Sequence, residues 1–144
     1  MAEEKALVVA RSNKILLYKF EAQGLAEHTS YEFSGTVVNL QRVAYEKHIG
    51  GKTLRLDAVF VLTKNLDCSL LGTNQYGLFE EFSSGNIKDL QGKARSPPFH
   101  VVADVKSRFI AIHAYANSVK VLPLKKGKDK ICLQNAFNCR IDQN

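Results

Sequence analysis

The chain has 144 residues and a formal net charge of +6, with 45% hydrophobic and 24% charged residues, the balance of a globular domain large enough to bury a core. Its apolar residues come in short runs, well under the ~18 needed for a membrane helix, and residues 1–5 are charged and carry no apolar stretch of a secretory leader. The basic excess favours an acidic partner, but it is spread along the chain, its densest cluster lying at 125–130.

In chain order the sequence alternates β-rich runs with polar turns. An apolar run at 7–10 is followed by Arg11-Ser12-Asn13-Lys14 and a second run at 15–20. The partly alternating segment 24–33 then reads as a half-exposed outer strand. Residues 37–45 read as an innermost strand and Gly50-Gly51 as an irregular connection. Residues 58–62, the turn Thr63-Lys64-Asn65 and 66–71 make a second hairpin, with 76–82 as its outer strand. The long segment 85–98, with Gly85, Gly92, Ser96, Pro97 and Pro98, is expected to be irregular. Residues 100–105 read as another innermost strand. Residues 109–116, Asn117-Ser118 and 119–124 make a third hairpin, followed by a Lys-rich tip at 125–130 and an outer strand at 131–137.

The three hairpins recur at a fixed interval: Asn13, Asn65 and Asn117 are 52 residues apart each time (65 − 13 and 117 − 65). The flanking residues align as Val8, Phe60 and Ile112, and as Tyr18, Leu70 and Leu122. Asn is expected to carry the left-handed backbone of each turn. A repeat of roughly 40–50 residues, each a four-stranded unit, is the signature of a β-propeller. The predicted fold is therefore all-β, a partial β-propeller of about three blades of four antiparallel strands, with blade-like units at 6–33, 37–84 and 99–141. The first blade lacks its innermost strand, because residues 1–5 are too short and too charged to form it. An arc of this kind is expected to expose apolar faces or unpaired edges at its two ends and to self-associate through them.

The residue types that carry chemistry do not assemble into a catalytic pattern. His28, His48, His100 and His113 sit on separate segments without HxxxH or HExxH spacing; His113 is expected to be a hydrogen-bonded core residue and His100 to lie on a propeller face. Gly50-Gly51-Lys52-Thr53 ends as a phosphate-binding loop does, but Glu46 stands where that loop needs glycine. Cys68, Cys132 and Cys139 are not spaced for zinc or redox work and are expected to be small buried side chains in a reducing, intracellular compartment. No catalytic, cofactor-binding or metal-binding residue is assigned. The longest loop supplies the candidate protein contacts Lys88, Asp89, Lys93 and Arg95. The alternative reading is a direct nucleic-acid-binding module, from the basic loops around Arg11 and Lys14, around Lys88, Lys93 and Arg95, and at 125–130, with Tyr76 and Phe99 nearby.

Three stretches carry a resemblance: Leu7-Val-Val-Ala-Arg-Ser-Asn-Lys-Ile-Leu-Leu-Tyr18, Gly85-Asn-Ile-Lys-Asp-Leu-Gln-Gly92 followed by Arg95-Ser-Pro97, and Ser118-Val-Lys-Val-Leu-Pro-Leu124. Together they resemble the family of large propeller subunits found in the UV-damaged-DNA-binding complex, the pre-mRNA cleavage/polyadenylation factor and a splicing factor, and the Gly-Asn-x-x-Asp-x-x-Gly loop favours the first. Residues 46–53 and 125–130 depart from the family pattern. The resemblance implies a non-enzymatic scaffold that links substrate receptors to a cullin–RING ubiquitin ligase in DNA-damage recognition and repair. It implies as partners those receptors and the other propellers of a longer protein, with nucleic acid contacted indirectly and no membrane. It implies a nuclear location, with the cytoplasm as a second.

Overall fold

The computed structural model describes residues 5–141. Their β-rich runs form twelve strands in three antiparallel sheets. The first sheet contains β1 (Ala6–Arg11), β2 (Lys14–Glu21) and β3 (Gly24–Glu32). The second contains β4 (Val37–Ile49), β5 (Lys52–Thr63), β6 (Asp67–Thr73) and β7 (Phe79–Asn86). The third contains β8 (His100–Ala103), β9 (Phe109–Tyr115), β10 (Ser118–Lys126), β11 (Ile131–Leu133) and β12 (Phe137–Arg140). Consecutive strands pair within each sheet, the meander of a propeller blade, and the expected all-β partial propeller is what forms. The first sheet has three strands among the described residues; residues 1–4, part of the segment judged too short for an innermost strand, lie outside them.

The third sheet has five strands where four were expected, and an extra residue explains the difference. Both β11 and β12 pair antiparallel with the same edge of β10, Leu124 opposite Leu133 and Val121 opposite Phe137. Residues 134–136 therefore oppose only 122 and 123, so one outer strand is broken by a bulge. A one-residue slip turns every later side chain to the other face. Hence Ile131 is fully buried while Phe137 is 52% exposed.

Turn chemistry also differs from expectation. The left-handed residues are Ser12 (φ 55°) and Leu66 (φ 67°), not Asn13 or Asn65. In the second hairpin the Leu66 amide donates to the Thr63 carbonyl at 2.9 Å, so the tight turn comes first and the left-handed position falls one residue after the asparagine. Asn13 acts through its side chain, donating to Glu32 Oε1 and to the Phe33 carbonyl, both at 3.1 Å. Gly50 and Gly51 are not an irregular connection. They are the two-residue tip of the β4–β5 hairpin, both at positive φ (56° and 77°), a geometry that excludes most side chains. The Gly-Lys-Thr run that mimics a phosphate loop is the product of that turn.

The sheets stack through two unequal seams. Between the first and second sheets, Ile15, Val61 and Leu71 are buried with Val8, Phe33 and Leu40 around them. Between the second and third lies the larger core, including Val43, Phe60, Leu62, Leu70, Ile110, Ile112, Leu122 and Ile131. The sequence alignment set Phe60 and Ile112 as equivalents, yet the two meet across this one seam from opposite sides. The residues equivalent in space to Ile112 and Leu122 are Val61 and Leu71, each 51 residues earlier (112 − 61 and 122 − 71), which look back toward the preceding sheet. The even spacing of the asparagines hides a one-residue slip, and in a strand one residue reverses the face.

Polar bonds cross the larger seam at both its inner and its outer edge. Asn39 on β4 holds the backbone of Phe99 with both ends of its amide: Nδ2 donates to the Phe99 carbonyl at 2.6 Å, and Oδ1 accepts the Phe99 amide at 3.0 Å. Ser107 Oγ donates to the Ala44 carbonyl at 2.6 Å, and the Leu133 amide donates to Ser83 Oγ at 2.7 Å. The two outer faces of the stack are apolar: Leu7, Val9, Phe20 and Leu25 are exposed on the first sheet, and Val102 and Phe137 on the third. Replacing Asn39 with Ala strands two backbone groups of Phe99, and we expect a loss of about 1–3 kcal/mol in urea unfolding. Replacement of the neighbouring, exposed Arg42 by Ala is expected to cost under ~0.5 kcal/mol.

Candidate functional site

The segment between β7 and β8 begins two residues later than the sequence suggested, since Gly85 and Asn86 close β7. From there it crosses from the second sheet to the third, bonded at nearly every step. Asn86 Nδ2 donates to Asp67 Oδ1 at 2.7 Å and to the Asn65 carbonyl at 3.3 Å, while its Oδ1 accepts the Lys88 amide at 2.8 Å. Ile87 is buried in the main core and its amide donates to the Leu66 carbonyl at 3.0 Å. On the far side, the Ala116 amide donates to the Lys93 carbonyl and the Arg95 amide to the Ala114 carbonyl, both at 2.8 Å. The loop thus ties the turn of one blade to the turn of the next.

Asp89 is its pivot. Its amide donates to the Tyr115 hydroxyl, and its Oδ1 accepts the Gln91 amide at 3.0 Å. Its Oδ2 meets Lys120 Nζ at 3.0 Å. Lys120 lies on β10 in an otherwise apolar run, is only 7% exposed, and passes over the Tyr115 ring at 5.4 Å from the centroid. The Gln91 amide first, and the Lys120 ammonium after it, hold the Asp89 carboxyl below its usual value. Gly92 lies flat against the Tyr115 ring, and any Cβ there would collide with it. The Gly-Asn-x-x-Asp-x-x-Gly spacing is therefore a set of structural requirements. Asn links to the previous turn, Asp takes the buried lysine, and the second Gly leaves room for tyrosine.

The four candidate contact residues separate accordingly. Lys88, Lys93 and Arg95 are exposed, while Asp89 is half-buried and directed inward onto Lys120. Leu90, between them, is 90% exposed. Arg95 Nη1 donates to His113 Nδ1 at 2.8 Å. Since guanidinium is only a donor, Nδ1 accepts and the ring proton sits on Nε2, which is buried with no partner among the described residues. His113 is thus only half satisfied, and it sits in register with exposed His100 on β8. His48 pairs with Thr53 Oγ1 at 3.0 Å across the β4–β5 hairpin. Sequence reasoning missed Tyr115 and Lys120 as anchors of this loop; the lone lysine in the run Val119-Lys120-Val121-Leu122 was the available signal.

The cysteines differ from one another as well. Cys68 is buried, and burial, with Asp67 adding to it, pushes its thiol up to about 12. Cys132 is half-buried, but Cys139 is exposed, contrary to expectation, because β12 lies beyond the bulge on the outer edge of β10. Among the described residues no group of three or more His, Cys, Asp or Glu is placed to hold a metal ion.

With three meandering sheets in a stack and a loop that couples consecutive blade turns, the chain matches the family model described as RSE1/DDB1/CPSF1 first beta-propeller over residues 1–142. The chain belongs to that family. A search of curated proteins gave no match. In this member of the RSE1/DDB1/CPSF1 first-propeller family, the motif that carried the resemblance is the one that bridges the second and third sheets.

Two outcomes test the bridge. Gly92→Ala must displace the Tyr115 ring, and we expect it to lower stability by about 1–3 kcal/mol in chemical denaturation. Asp89 is held in its ionised form by folding, so its stabilising effect is complete above about pH 4, the unfolded carboxyl value, and is lost as pH falls through the lowered folded value. The melting-temperature deficit of Asp89→Asn relative to the parent chain should be full at pH 7 and shrink steadily below about pH 4.

Proposed function

We propose that this chain is a non-enzymatic protein-interaction scaffold of the adaptor type, supplying part of the docking face through which substrate receptors are joined to a cullin–RING ubiquitin ligase in DNA-damage recognition. Membership of a propeller family supports the scaffold reading. The observation that carries the docking site is the 87–98 loop, which presents exposed Lys88, Leu90, Lys93 and Arg95 on a backbone bonded to both neighbouring blades. A surface fixed before binding loses little conformational freedom on association, and an exposed leucine among cations suits a partner that is apolar at its centre and acidic at its rim. The receptors and the remaining propellers of a longer family protein are the proposed partners, in the nucleus.

Direct nucleic-acid binding is the second reading, motivated by the cations of that loop and, at the other end of the strands, of the Lys-rich tip at 125–130. Affinity for single-stranded DNA or RNA would then fall steeply between low and moderate salt. Charge reversal at Lys93 and Arg95 decides the docking role. We expect Lys93→Glu with Arg95→Glu to abolish receptor pull-down while leaving the melting temperature within a few degrees of the parent, since both side chains are exposed. Undiminished pull-down by that variant rules the loop out as the contact.

A further inference from the structure

The β4–β5 hairpin outruns its own sheet. β5 pairs with β6 only from Val59 to Leu62, whereas its pairing with β4 continues to Lys52 opposite Ile49. The outer edge of β5 before Val59 thus has no strand partner among the described residues. On this arm, cross-strand partners share a face: Tyr45 with Leu56, Lys47 with Leu54 and Ile49 with Lys52 on one side, Glu46 with Arg55 and His48 with Thr53 on the other. The first side is apolar and basic and turns toward the third sheet, where Tyr45 joins the main core. Ile49 and Leu54 are 51% and 39% exposed.

Facing the arm is the Lys-rich tip between β10 and β11, turned by the Gly127 amide donating to the Lys130 carbonyl at 2.8 Å. An open groove of about 580 Å³ lies between them. Its floor is aromatic: Tyr45 and Phe82 meet edge to face, with ring centroids 5.4 Å apart. Lys47 forms one rim and Lys128 and Lys130 the other, with Tyr76, 71% exposed, at one end. None of the three lysines forms an ion pair among the described residues, and the Tyr45 hydroxyl has no hydrogen-bond partner among them. The β4–β5 arm contributes Lys47 to the lining and the 125–130 tip contributes Lys128, Asp129 and Lys130, while the β6–β7 turn closes one end with Asn74 and Tyr76.

We infer that the groove is a second docking site, for an acidic polypeptide segment that carries an apolar or aromatic residue between its carboxylates. Unpaired lysines on both rims attract carboxylates, and the aromatic floor accepts the apolar residue. The open β5 edge offers a row of backbone groups that an extended polypeptide can pair as an added strand. Glu80 and Asp129 also line the groove, so anionic groups are accepted only where the lysines stand, which suits a peptide with spaced carboxylates and opposes a continuous phosphate chain. The site is at the opposite end of the strands from the 87–98 loop, which packs on the β5–β6 and β9–β10 turns. It stands or falls independently of that loop.

Fluorescence anisotropy on the whole chain decides it, with three fluorescein-labelled probes: a peptide alternating Glu with Leu and Phe, the same peptide with Gln for Glu, and oligo-dT of equal charge. We expect the acidic peptide to bind at least about tenfold tighter than its amide twin. Lys47→Glu, Lys128→Glu and Lys130→Glu together should weaken it by about tenfold or more, and Tyr76→Ala by less. Lys93→Glu with Arg95→Glu should leave it unchanged. Single Lys128→Glu and Tyr76→Ala variants, both in exposed loops, give the same reading should the triple variant not fold. Equal binding of the two peptides overturns the inference, as does acidic-peptide affinity indifferent to the groove substitutions. Tighter binding of oligo-dT, lost with the same three lysines, overturns it in favour of a nucleic-acid groove.

Discussion

A lysine ammonium inside a stack of β-sheets is tolerated only when an opposite charge is brought to it, and the path of the longest loop answers that demand. Lys120 lies at the seam between the second and third sheets, and Asp89 reaches it from a segment that belongs to neither. Ion pairs of this kind specify geometry more than they add net stability, because desolvation offsets much of the attraction. What the pair specifies is the crossing of the chain from blade to blade. Once Asp89 is in place, Tyr115 caps its amide, Gly92 must be small enough to lie on the same ring, and Asn86 must bind back to the preceding turn.

The two seams differ in kind. The second and third sheets share a broad apolar core, closed at the inner edge by Asn39 on Phe99 and by Ser107 on Ala44, and bridged over the strand ends by the Asp89 loop. The first sheet is joined by a smaller cluster around Ile15, with the Val37 amide donating to the Ser12 carbonyl at 2.8 Å. Its outer face, with Leu7, Val9, Phe20 and Leu25, has no sheet packed on it among the described residues. The second and third blades are thus the more extensively joined pair, and both candidate docking surfaces are built on it, one at each end of the strands. Such a division suits a scaffold: rigid strands hold the surfaces at a fixed separation, and loops carry the variable chemistry.

Much of this was legible in the chain. Period-two alternation, Asn-containing turns and a recurrent interval gave the strands and their grouping into blades, because strand and hairpin formation are decided by residues near one another. The spacing of Asn86, Asp89 and Gly92 marked the loop that matters, although it read as a contact surface when half of it is internal bracing. Asp89 stood among the contact candidates as a residue of the longest loop; only the arrival of Lys120 from a strand 31 residues away makes it a partner within the fold.

By itself, then, the sequence determined the all-β class, the blade repeat and the family, since these depend on local pattern and on a motif contiguous in the chain. Only the tertiary structure decided which face each strand turns to its neighbour. Ile112 aligned with Phe60 by interval but faces it across the core, and Phe137 was carried outward by one extra residue at 134–136. The physical reason is the same in both cases. Side chains in a strand alternate with every residue, so a slip too small to disturb a repeat is large enough to exchange inside for outside.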